Sequence, residues 1–266
     1  MPVEPRPAAS VILIRPGRAS PVECYLIRRA AEMRFLGGYY AFPGGKVDLA
    51  DRRPEALARV RGLTAEAATA RLGDPGDGVP ALAYWLTAAR ELFEETGLLL
   101  AVDAADQPVD ARAPGVGDRL EAHRQALVRG EWSFTAVLAE EGWAADLGSL
   151  AYLAHFITPP SSPIRFSARF FLSPLPPGQS PRLILEETTE GAWVSPAEAH
   201  ARFRAGEWPM AEPAEYGMQY LAQFDAYEAV WAHHADGRHK FHGIIDRLDA
   251  TRYALLEWNT FVEHRG

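Results

Sequence analysis

"RELFEETGL", residues 90 to 98, is the stretch on which the fold turns, and "FPGG" at 42 to 45 is its counterpart upstream. Leu82, Trp85, Leu86, Ala89, Leu92 and Phe93 recur at helical spacing, so the sequence predicts a helix over 81 to 96. Glu91, Glu94 and Glu95 then fall at i, i+3 and i+4, on one face, where they repel one another. Gly97 reads as the residue just past the helix end, which puts these charges at the negative end of the helix dipole. Each effect costs only about 0.2–1 kcal/mol, but both have the same sign. A helix selected for stability alone would carry Lys or Arg there, whereas a bound divalent cation would reverse the sign. The other reading is a solvated acidic face softened by Arg90, four residues before Glu94, in the weaker orientation for such a pair.

The order Arg90-Glu91-Leu92-Phe93-Glu94-Glu95-Thr96-Gly97-Leu98 matches the C-terminal half of the Nudix box residue for residue, and the chain resembles a Nudix hydrolase. That resemblance implies an α/β fold with a mixed β-sheet sandwiched between helices, and Mg2+ or Mn2+ as cofactor. It makes Glu91, Glu94 and Glu95 the metal ligands, with a backbone carbonyl from Gly44 or Gly45, and includes Arg90 in the catalytic set. Oxygen donors suit such hard cations, and glycines let the backbone approach them closely. In the box the first Gly precedes the Arg by fourteen positions. Here Gly45 and Arg90 are forty-five apart, so thirty-one residues are inserted. The family's middle glutamate lies six after that Gly, which is Asp51 here, and eight before the Arg, which is Leu82.

Upstream, "LIRRAAEMRFLGGYYAFPGG" resembles the added motif of the coenzyme A branch, with Leu26, Arg29, Arg34, Gly38, Phe42 and Pro43 in register and Ile27 and Ala30 replacing a Thr and a Ser. The resemblance makes Arg29, Arg34, Gly38, Phe42 and Arg165 the substrate-binding candidates; arginine suits bidentate contact with phosphate, and pairing with surface acids is the alternative. Many family members carry a later glutamate six residues before a Trp, which is Glu187 before Trp193, so Glu94 and Glu187 are the general-base candidates. A solvated acidic loop at Glu186, Glu187 and Glu190 is the other reading. With "FITPPSSPIRFSARFFL" at 156 to 172, the chain is similar to the vertebrate peroxisomal acyl-CoA diphosphatase branch, departing at Ser167-Ala168, where that branch favours Asp-Thr. The implied activity is hydrolysis of the diphosphate of CoA or acyl-CoA to 4'-phosphopantetheine, or its acyl form, and 3',5'-ADP. The same chemistry on ADP-ribose or NADH, and a non-catalytic nucleotide-sensing module, are the alternatives.

The 266 residues carry a net charge of −8, which disfavours nucleic acid and anionic membranes as partners and leaves a small CoA-like nucleotide, with a homodimer as a further expectation. One cysteine, Cys24, excludes an intrachain disulfide framework. The early apolar run 11 to 14 is too short for a signal-peptide core, and His264-Arg265-Gly266 is not the peroxisomal tripeptide, so a cytoplasmic location is expected. A single domain over 1 to 266 is expected, with an insert at about 49 to 80 and a helical C-terminal extension at about 212 to 266. Strands are predicted at 8 to 15, 22 to 28, 150 to 157, 165 to 172 and 192 to 194. Helices are predicted at 55 to 61, 64 to 72, 119 to 129, from Ser195 onward, and at 213 to 235. The aromatic stripe from Tyr216 to Trp231 reads as core or a dimer face, and His233, His234, His239 and His242 as a solvated loop.

Overall fold

The computed structural model describes residues 3–18, 20–33, 35–73, 77–158, 160, 162–183 and 188–235. Arg34, Glu186, Glu187, His239 and His242 therefore lie outside the described residues. The strands are β1 (Arg6–Pro16), β2 (Val22–Arg29), β3 (Tyr40–Ala41), β4 (Gly44–Lys46), β5 (Val60–Arg61), β6 (Ala101–Val102), β7 (Ala144–Asp146), β8 (Ala151–Ile157), β9 (Phe166–Pro174) and β10 (Thr188–Val194). The helices are α1 (Pro54–Leu57), α2 (Ala65–Leu72), α3 (Ala81–Thr96), α4 (Val116–Val128), α5 (Phe134–Glu140), α6 (Pro196–Arg204), α7 (Glu212–Leu221) and α8 (Tyr227–His234).

The main sheet has the order β10-β2-β1-β9-β8, with β3 on β2 and β4 on β1. β1 and β2, on the two strands predicted at 8 to 15 and 22 to 28, form an antiparallel hairpin, while β1 and β9 run parallel, with Ala9 opposite Arg169, so the sheet is mixed. Alternation along β1 explains why both faces are covered. Val11 and Leu13 pack with Trp85, Ala88 and Leu92 of α3. Ile12 and Ile14 pack with Tyr216, Met218 and Val230 of α7 and α8. The aromatic stripe is thus core on its inner side, with Tyr216 and Tyr220 buried. Among the described residues no helix is long and apolar enough to cross a membrane.

Helix α3 runs over the predicted residues and ends at Gly97, whose φ of 70° is left-handed and whose N–H donates to Phe93 O at 2.8 Å. Ser195 caps α6, the helix predicted from Ser195 onward, accepting from the Glu198 N–H at 3.1 Å, with Pro196 at the first helical position. Three predicted segments differ. The helix expected at 55 to 61 stops at Leu57, and Val60–Arg61 instead pairs with β7 in a second sheet of order β5-β7-β6. The helix expected at 213 to 235 is broken between Leu221 and Tyr227; its periodicity continues across the break because both pieces face the same apolar cluster. The third late strand begins at Thr188 rather than 192.

Candidate active site

The two sequence fragments meet. β4 lies on β1 with Gly45 opposite Ala9 and Gly44 opposite Ser10, and the last turns of α3 press against it. Val11 N–H donates to Pro43 O and Val47 N–H to Pro7 O, which sets the hydrogen-bonded rungs of this antiparallel ladder. Gly45 falls on a bonded rung and Gly44 between rungs, so the N–H and C=O of Gly44 point away from β1. The Gly44 N–H is taken by Glu95 Oε2 at 2.7 Å. Glycine is required at 44 by approach rather than by φ, since a Cβ there would lie 2.5 Å from Ala9 O and 2.6 Å from Ser10 Cα; at 45 a Cβ would meet the end of the Glu91 side chain, Oε1 at 2.4 Å.

Arg90 organises the carboxylates around it. Its Nε donates to both Asp51 oxygens at 3.1 Å, and its Nη2 to Asp51 Oδ2 at 3.0 Å and Lys46 O at 2.8 Å. Its Nη1 meets Glu91 Oε1 at 2.9 Å and Glu94 Oε2 at 3.0 Å. Asp51 also accepts from Thr87 Oγ1 at 2.8 Å and from the Asp48 N–H at 3.1 Å. The count of six from Gly45 is the sequence signal for Asp51, and its place on Arg90 makes the insert begin after it rather than at about 49. A guanidinium so fully engaged holds side chains in place and has no donor left for a substrate.

Burial pushes the Glu91 carboxyl well above the usual glutamate range; Arg90 opposes this, and Glu94 and Glu95 reinforce it. Burial also raises Glu94, with Arg90 opposing and Asp51 and Asp48 adding to the rise. The cation that the end of α3 lacks comes from α4. Arg124, 1% exposed, donates through Nε to Glu94 O at 2.9 Å and through Nη2 to Glu95 O at 3.4 Å. No sequence spacing announced it. Arg124 also lines, with Arg112 and Arg182, a cavity of about 150 Å³ beside Gly97.

Among the described residues no three His, Cys, Asp or Glu side chains converge as a metal cage. Glu91 and Glu94 fold onto Arg90, and Glu95 onto Gly44. The donor set nonetheless fits a hard divalent cation: oxygen donors crowd at one place and raise one another's pKa, so positive charge is what they lack.

Of the other predicted residues, Arg29 continues the alternation of Tyr25 and Ile27, which face α3, and so projects on the α3 side of the sheet. Its Nε donates to Phe35 O at 3.3 Å, and among the described residues no carboxylate pairs with it. Gly38, φ 79°, closes the loop after β2 by donating its N–H to Arg29 O. Phe42 is 5% exposed and packs edge-on to Phe170 in the core. Arg165 is held by backbone carbonyls, Nε to Thr158 O at 2.8 Å and Nη1 to Val3 O at 2.6 Å. Glu190, read from the sequence as part of a solvated acidic loop, instead lies on β10 opposite Arg28 and accepts from Tyr40 Oη at 2.7 Å.

The model of the NUDT19 Nudix domain matches residues 5–221. The chain is 29% identical over 265 residues to the acyl-coenzyme A diphosphatase NUDT19 of Gallus gallus, covering 83% of this chain and 69% of that protein. Against the Homo sapiens protein of the same name it is 28% identical, covering 82% of this chain and 65% of that protein. This chain thus spans about two thirds of the length of these curated relatives. The crystal structure of a NUDIX hydrolase from Alicyclobacillus acidocaldarius superposes with a TM-score of 0.69 at 32% identity, covering 86% of this chain and 96% of that one. A helix carrying the box, a glycine strand laid on its carboxylates and a family match over most of the chain agree: the protein is a Nudix hydrolase and belongs to the NUDT19 Nudix domain family.

Proposed function

We propose that the protein hydrolyses the diphosphate linkage of CoA or acyl-CoA, giving 4'-phosphopantetheine or its acyl form and 3',5'-ADP. The observation that carries this reading is Arg29, on the α3 side of the sheet and unpaired by any carboxylate among the described residues, in the register of a CoA-branch motif that ends at Gly44-Gly45. The names of the curated relatives support the same substrate class.

Glu91, Glu94 and Glu95, with the Gly44 carbonyl, would hold Mg2+ or Mn2+. Gly44 is preferred to Gly45 because its carbonyl is not on a bonded rung of the β1–β4 ladder. Such a cation, when bound, polarises a phosphoryl oxygen and lowers the pKa of water. Arg90 and Asp51 fix the carboxylates, Arg29 draws the substrate phosphates, and Glu94, with its raised pKa, is the side chain placed to accept a proton from the attacking water. Glu187 is the alternative base on sequence grounds. Assaying CoA, acetyl-CoA, NADH and ADP-ribose side by side with Mg2+ and with Mn2+ tests the proposal. Release of 3',5'-ADP from CoA or acetyl-CoA at the highest kcat/KM is expected; faster cleavage of NADH or ADP-ribose would overturn it.

A further inference from the structure

Arg169 is 4% exposed, yet among the described residues no carboxylate lies within ion-pair distance of it. Its Nη1 donates to Ser167 Oγ at 3.2 Å, its guanidinium lies 5.3 Å from the centre of the Tyr84 ring, and its buried Nε has no hydrogen-bond partner. Arg52 repeats the pattern: its Nη2 reaches only Val47 O, at 3.5 Å, and its buried Nε is also unpartnered. Arg169 lies over the Tyr84 ring, and Arg52 directly follows Asp51, whose carboxylate accepts from Thr87 Oγ1 one turn further along α3, so both arginines lie against the same stretch of that helix. The groups around them do not neutralise them. Asp77 is occupied by the Tyr84 hydroxyl and the Val79 N–H, and His155 meets the Ser167 hydroxyl at 2.8 Å. Two buried N–H donors and two cations against one more distant carboxylate are a demand for an acceptor that carries negative charge.

The position of this cluster suggests which anion. Ala9 pairs with Gly45 on one side and Arg169 on the other, so Arg169 stands two strand spacings, about 10 Å, from the glycine strand. We propose that Arg169 and Arg52 form a subsite for a phosphate monoester group, separate from the carboxylates and from Arg29. It rests on the proposed function only for the source of that group, a nucleotide phosphate; free inorganic phosphate has the same chemistry.

Calorimetric titration of the full chain in EDTA, with inorganic phosphate, 3',5'-ADP and adenosine as probes, tests this without any hydrolysis and so independently of the substrate assignment. Phosphate and 3',5'-ADP are expected to bind the wild type and adenosine not to. Arg169→Gln and Arg52→Gln should each weaken both anions tenfold or more. Tighter binding of 3',5'-ADP than of phosphate assigns the subsite to the nucleotide, and equal binding to the free ion. Arg52 is only partly buried, so its variant serves if Arg169→Gln does not fold. No anion binding by the wild type, or binding that survives both substitutions, would overturn the proposal.

Discussion

Arg90 and Arg169 are each 4% exposed, and their surroundings are opposite. Arg90 spends its N–H groups on Asp51, Glu91, Glu94 and a carbonyl, and Asp48 stands 3.8 Å away. Arg169 has one hydroxyl and the face of one ring. The first region has more negative charge than its arginine can balance, and the second has buried positive charge that no carboxylate among the described residues pairs with. A buried charge without its partner is costly, so neither arrangement serves stability alone. A cation at one end and a phosphate at the other would relieve both, and a nucleotide bound with a metal ion brings both.

The sharpest way to break this contrast is Glu95→Gln. Turnover is expected to fall by about 10²–10³-fold or more, as for other groups that stabilise transition-state charge. The fold should be intact or slightly more stable in metal-free buffer, because a repelling charge is gone. Unchanged turnover with Mg2+ would show that the acidic face is not the site. Arg90→Met strands Asp51 and should cost about 3–5 kcal/mol in denaturant unfolding. A loss under 1 kcal/mol would mean that the clamp does not organise the carboxylates.

Gly45→Ala forces a methyl onto Glu91 and should cost about 1–3 kcal/mol while raising the Mg2+ concentration needed for half-maximal activity. A wild-type metal requirement in that variant would separate Glu91 from the site. At the other pole, Ser167→Asp places a carboxylate beside Arg169 and should stabilise the protein by about 1.5 kcal/mol while reducing phosphate binding. Destabilisation would show that Arg169 is already compensated.

The smallest effect is on pH dependence. Glu91 and Glu94 have raised pKa values, so the folded chain holds protons that the unfolded chain releases. Their contribution to the metal-free protein is full below about pH 4.5, the ordinary glutamate value, and is lost as pH rises through the folded values. Wild type should therefore lose stability relative to Glu91→Gln on going up from that pH, and saturating Mg2+ should remove the difference. A gap that narrows with rising pH without metal would contradict the assigned direction.

The carboxylate pole was legible in the sequence because local rules write it: helical spacing, a glycine stop, and carboxylates at i, i+3 and i+4. The β1–β2 hairpin and the Ser195 cap were legible for the same reason. Arg124 was not, because it belongs to another helix and reaches α3 only through packing. The small sheet of β5, β7 and β6 escaped notice because its strands are two or three residues long, too short to show alternation. The Arg169 pole was hidden by its own simplicity. An arginine on a strand looks the same in sequence whether it is paired or not, and only the neighbours across the sheet reveal that it is not.

The insert after Asp51 also bears on how the molecule folds. The family spacing sets the ends of this clamp eight positions apart, whereas here Asp51 and Arg90 are 39 apart. Closing the longer loop costs about 1.4 kcal/mol more chain entropy if the intervening residues are disordered. That penalty shrinks if α2 and β5 are already in place. The carboxylates at the end of α3 are then aligned late, after the insert has docked, and conditions that slow the insert's folding should delay the appearance of activity more than the appearance of secondary structure.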